Sequence, residues 1–263
     1  MVYFKIPGPL GVREHSNNHD GSFSNKFFHN GVHQSPSQGS DGAVGDLYFP
    51  TPLAHKIANS DISAGLMCEQ LSEAEFSVLV MALCQDAIAL AEQRQAELQH
   101  WDAAAKKRTW IWFNSSSDEL RDFLLKGIAA TIVSLRALRA KDFVQYSEEN
   151  INLGSCRGSV VDPEAAASVC PVDITNKRIM IAPKFCGLSR DKRNPYNGEI
   201  GDGDSQLLTL VHEVTHFKDV FGSNDNFYST FRSIKYVEDP GIRFNADSLA
   251  AYIIGTNPRK ERY

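Results

Sequence analysis

The feature that most constrains this chain is His212-Glu213-Val214-Thr215-His216, set in a stretch whose apolar residues recur at helical spacing. Leu207, Leu210, Val211, Val214, Phe217 and Phe221 form one stripe, which leaves Thr209, His212, Glu213 and His216 on the opposite side. A fold that accepts this segment must lay a helix between a core and a cleft, and the reading is a helix from Ser205 to Phe221. Positions i and i+4 lie one turn apart on one face, so both imidazoles reach a single zinc ion at about 2.0–2.1 Å. Glu213 then faces a water at the metal rather than the metal itself, the place of a general base.

A catalytic zinc needs a third protein ligand and an open fourth position. Gly222-Ser223-Asn224-Asp225 follows the helix. Gly222 is read as a left-handed C-cap, and the turn swings Asp225 back toward the histidines to complete a His₂Asp set holding one Zn2+. The competing reading makes Asp225 the cap of the next helix.

Residues 1–60 read as a polar arm rich in Gly, Ser, Asn and His, and residues 61–263 as the folded domain. In the arm, His15, His19, His29 and His33 are unevenly spaced and have no thiol nearby, which favours a plain polar segment over a metal tract. Ser72 with Glu75 forms a capping box, opening a helix that carries Phe76, Leu79, Val80, Leu83, Ala87, Leu90 and Ala91. Ser116 with Glu119 reads as a second box, ahead of Leu120, Phe123, Leu124, Ile128, Ile132, Leu135 and Leu138. Thr109–Phe113 reads as short, aromatic and extended, Arg178–Ala182 as a strand, and residues 226–236 and 243–254 as shorter helices separated by Asp239-Pro240-Gly241.

A net charge of -5 with no basic stripe argues against a nucleic-acid binder. No uninterrupted apolar run reaches bilayer-spanning length, so no transmembrane segment is expected. The segment Met1–Gly8 lacks the cationic, apolar and small-residue order of a Sec signal, so either such a signal has been removed, or the protein leaves by a route that needs none, or it stays inside; the expectation is delivery to an extracytoplasmic compartment from a cytoplasmic precursor. Five cysteines without a CxxC pair argue against a thiolate zinc knuckle and allow at most two disulfides, with Cys84, inside an apolar helical stretch, the candidate for a free, buried thiol. Wide spacing of the others suits an oxidising destination.

HExxH followed by Gly-Ser-x-Asp resembles the aspzincin zinc metalloendopeptidases, the deuterolysin and peptidyl-lysine metalloendopeptidase group. The nine-residue step from His216 to Asp225 looks like the lysine-specific branch. Tyr228, three residues past Asp225, stands where the family carries its oxyanion-stabilising tyrosine, and Asp239-Pro240 with Asn245-Ala246-Asp247 echoes a run near the family's C-terminus. The resemblance spans about residues 66–255. It implies an α+β, mainly helical zincin-like domain with a small β-sheet, with Glu213 and Tyr228 catalytic, His212, His216 and Asp225 on zinc, and Asp247 in the substrate pocket. By the same analogy Cys68 pairs with Cys156 and Cys170 with Cys186.

The implied activity is endopeptidase cleavage of protein or peptide substrates with a basic residue at P1′. A secretion-system component or cognate inhibitor would be a further partner, as for a bacterial toxin or effector. The chain departs from the family at Ser223, where Thr is usual, and at Ala250, where lysine-specific members carry an acid lining S1′. A broad-specificity, deuterolysin-like protease is therefore an alternative. A non-catalytic metal module is another, and it requires a fourth ligand; His29 or His33 would supply one and make the arm an inhibitor in cis.

Overall fold

The computed structural model describes residues 67–152, 156 and 162–258; the arm, its histidines and the 60/61 boundary lie outside the described residues. Helix α1 (Glu73–His100) starts at the expected box: the Ser72 hydroxyl accepts from the Glu75 amide, and the Glu75 carboxylate accepts from the Ser72 amide at 2.8 Å. By length and mean hydropathy α1 is of bilayer-spanning size, yet its stripe of Phe76, Val80, Leu83, Ala87 and Ala91 is core.

Thr109–Phe113 is not extended. It ends α2 (Ala103–Phe113), which Asp102 caps through the Ala105 amide at 2.9 Å. Three successive alanines favour the helix, and Thr109 and Trp112, one turn apart, bury while Trp110 stays exposed. Helix α3 (Asp118–Ala137) is capped by Ser117 rather than Ser116, the hydroxyl accepting from the Leu120 amide at 3.2 Å. The Arg121 guanidinium donates to the Leu98 and Gln99 carbonyls, tying the start of α3 to the end of α1, along which it packs.

The sheet is small: β1 (Phe143–Gln145), β2 (Ala167–Val169) and β3 (Ile179–Ile181) in the order β1-β3-β2, with β1 parallel and β2 antiparallel to β3. All three residues of the central strand are buried, as its continuous apolar run requires. Short helices α4 (Glu148–Ile151) and α5 (Pro183–Cys186) flank it. Next come α6 (Gln206–His216), α7 (Thr230–Lys235) and α8 (Ala246–Ile254). Every residue of α8 is buried, so it is the helix around which α1, α2, α6 and α7 pack, while α6 also touches β2.

Two further sequence expectations are corrected. Helix α6 stops at His216, five residues short of Phe221, because Phe217 turns to φ -57 and ψ 133. The carbonyls that would continue the helix are taken elsewhere: Thr215 O accepts from the Ser223 amide and Phe217 O from the Gly222 amide. Gly222 does adopt φ 58, but as a turn residue beyond the helix. The disulfides are Cys68–Cys186 and Cys156–Cys170, not the pairs taken by analogy. The Cys186 end of α5 sits against the chain entering α1, where the Cys68–Cys186 bridge closes, while Cys170 lies at the end of β2, in bridging range of Cys156. Cys84 is free and buried, and burial pushes its thiol up to about 12.

Candidate metal centre

Ser205 caps α6 through the Leu208 amide, and Leu207, Leu210, Val211 and Val214 enter the core as their spacing requires. The opposite face puts Thr209, His212, Glu213 and His216 on a cleft of about 670 Å³. Asp225, Tyr228, Ser229 and Asp247 line the same cleft from the C-terminal side, and Ala166–Val169 from the sheet.

His212, His216 and Asp225 converge, with one ligand atom from each lying within 4.8 Å of the others. His212 Nε2 is 3.1 Å from His216 Nε2 and 3.1 Å from Asp225 Oδ1, and His216 Nε2 is 3.4 Å from Asp225 Oδ1. A tetrahedral ion with ligands at about 2.0–2.1 Å has edges of about 3.3 Å, so the three atoms form one face of such a site. The two imidazoles and hard carboxylate fit zinc, and no fourth ligand joins the group among the described residues.

Each ring is held from behind. His212 Nδ1 faces Asp247 Oδ1 at 3.2 Å and His216 Nδ1 faces the Ser223 carbonyl at 3.0 Å. With both Nδ1 atoms facing oxygen acceptors, the protons belong there, and the Nε2 lone pairs point inward. The Thr215 hydroxyl lies 2.8 Å from that of Ser223, fixing the turn against α6. Asn224 and Asn245 bridge in parallel, with the Asn224 amide donating to Phe244 O and the Ala246 amide to Asn224 O. The Asn245 side chain accepts from the Phe227 amide at 2.8 Å and donates to Phe227 O. Asp225 thus projects from a loop braced on both sides, which decides against its capping a following helix: Ser229 caps α7.

Burial alone would lower both histidines, but the hydrogen bonds they donate to Asp225, and for His212 also to Asp247, outweigh it and raise them. Burial opposes the Asp225 charge as well, yet the bonds to His212 and His216 hold its carboxyl far below the usual range. Glu213, 5% exposed, is raised by burial, partly offset by the two histidines. Tyr228 is 59% exposed and donates to Asp225 Oδ2 at 3.2 Å; burial of its hydroxyl and the Asp225 charge push it up to about 12.

Asp247 lies at the cleft, where Oδ1 faces His212 and Oδ2 accepts from the Ser229 amide at 2.7 Å, so each oxygen has a partner within the protein. Ala250 is fully buried in α8 and away from the cleft lining. Sequence reasoning missed the bracing roles of Ser223, Thr215 and Ser229. Ser223 was visible as the hydroxyl of the Gly-Ser-x-Asp turn, whereas nothing in the sequence marks Ser229, whose φ is 79.

No family model matches the chain, and no curated protein matches its sequence. Among solved structures, a zinc peptidase from Grifola frondosa superposes with a TM-score of 0.51 at 20% identity, over 70% of this chain and 96% of that one. The described architecture is therefore the mainly helical α+β, zincin-like fold that the helix and its small sheet imply.

Proposed function

We propose that the chain is a zinc-dependent endopeptidase with one Zn2+ on His212, His216 and Asp225. The observation that carries the reading is the triangle of Nε2, Nε2 and Oδ1 atoms, at the spacing of a tetrahedral face, opening onto a cleft beside Glu213. The fold shared with a zinc peptidase supports it. Bound there, zinc supplies Lewis-acid polarisation of a carbonyl and lowers the pKa of water toward neutrality.

The protein's own groups do the rest. Glu213 takes a proton from the attacking water on its carboxylate and passes it to the leaving amine nitrogen. The Tyr228 hydroxyl turns from Asp225 Oδ2 to donate to the oxyanion, a motion its exposure allows. The cleft also suits an extended chain. The Ala182 amide donates to Ala166 O, so Ser168 faces β3, while Ala167 and Val169 present their amides and carbonyls along the outer edge of β2. A substrate strand adds to that edge.

Asp162, Glu164 and Asp204 add carboxylates to the lining, which supports a preference for Lys or Arg, proposed at P1′. The engagement of Asp247 and the burial of Ala250 favour, as a second reading, a broad deuterolysin-like specificity. Both disulfides support action in an oxidising, extracytoplasmic compartment, as a secreted toxin or effector that uses a secretion partner or meets a cognate inhibitor. The test is digestion of a peptide library by the zinc-loaded chain, read by mass spectrometry. Internal cleavage that a chelator abolishes is expected, with enrichment of Lys or Arg at P1′. Cleavage without enrichment selects the broad reading, and no cleavage despite one bound zinc rejects the peptidase.

A further inference from the structure

Two donors from different elements meet on one buried carboxylate. Asp247, in the first turn of α8 and 7% exposed, takes the His212 ring on Oδ1 at 3.2 Å and the Ser229 amide on Oδ2 at 2.7 Å. Ser229 holds φ 79 and ψ 146, a conformation that residues with a Cβ rarely adopt, so something must fix it there. It directly follows Tyr228 and lies four residues past Asp225 in the braced loop. The side chain that reaches the helix of His212 thus also reaches the loop of the third ligand.

We propose that Asp247 is a positioning residue that orients the His212 imidazole and, through Ser229, holds the loop carrying Asp225 and Tyr228. A carboxylate is required because both partners donate. An ionised Asp accepts on both oxygens, whereas Asn turns an NH₂ toward one of the two donors. The same geometry commits one lone pair of each Asp247 oxygen inside the protein, and at 7% exposure little of the carboxylate is left facing the cleft. The effect on turnover rests on the peptidase reading, while the effect on zinc does not.

The experiment uses the full chain and Zn2+ itself. In Asp247→Asn, zinc affinity measured against a competing chelator is expected to fall about 10–100-fold, the usual consequence of losing an outer hydrogen-bond partner. At saturating zinc, kcat falls while KM and the cleavage-site profile stay put. In zinc-loaded wild type, imidazole nitrogen spectra place the His212 proton on Nδ1. Wild-type zinc affinity in the variant together with an altered residue preference would overturn the proposal and return Asp247 to the substrate pocket. Should the variant not fold, a His212 proton found on Nε2 in wild type would overturn it equally. The affinity and proton readouts need no turnover, so a chain that binds zinc and cleaves nothing sinks the peptidase and leaves this proposal to be judged by them.

Discussion

His212 and His216 carry opposing demands. Burial disfavours their charged forms, yet Asp225 accepts from both rings and Asp247 from one, which raises them. Without metal the site therefore keeps protons that zinc must displace. Zinc affinity is expected to rise with pH through the range above the ordinary histidine pKa, where the raised rings lose their protons, with proton release seen by calorimetry in buffers of different ionisation heat. The sign for stability follows from the same shifts. The raised histidines stabilise the metal-free fold below their unfolded pKa, and that contribution is lost as pH rises through the raised values. The lowered Asp225 contributes above its unfolded pKa and is lost only in strong acid. The metal-free protein is thus best stabilised by this pair in mild acid. An affinity flat across that range would contradict the proton-holding site.

At the scale of elements, the turn that follows α6 owes its position to neighbours the sequence does not announce. Gly127 on α3 faces the Phe221 ring, and a Cβ there would collide with it. Phe221 also packs edge-on against Phe123, 5.4 Å between centroids, just before the turn that carries Asp225. Gly127→Ala is expected to cost about 1–3 kcal/mol in denaturant unfolding and to weaken zinc binding, because the displaced ring shifts that turn. Unchanged stability would mean that the ring swings aside freely. Such close approaches explain what was legible and what was not. The caps at Ser72 and Ser205 and the α6 stripe are local, so residue order reveals them. The early end of α6 depends on Ser223 folding back onto Thr215, and the helical Thr109–Phe113 on burial of Trp112, both settled by tertiary contact. The three converging groups were readable because two lie on one helix and the third follows a short turn. The engagement of Asp247 was not, since its partners are 35 and 18 residues away in sequence.

For the whole molecule, the Cys68–Cys186 bridge spans a sequence separation of 118 and ties the start of α1 to the end of α5. Four paired cysteines allow three connectivities, and sequence alone does not choose among them. Loop closure of this length implies that removing this bridge lowers stability by about 4–5 kcal/mol, measured as the loss of unfolding free energy in a Cys68→Ala/Cys186→Ala variant. A loss below about 1 kcal/mol would mean that native packing already closes the loop. The fold places helix, loop and edge strand around one cleft, which we propose hydrolyses peptides with Glu213 as its base. The most direct test is peptide turnover by wild type and Glu213→Gln, each with one zinc bound. Equal zinc affinity with a loss of about 10²–10⁴ in kcat is expected of a general base. Equal turnover by the variant would contradict the account.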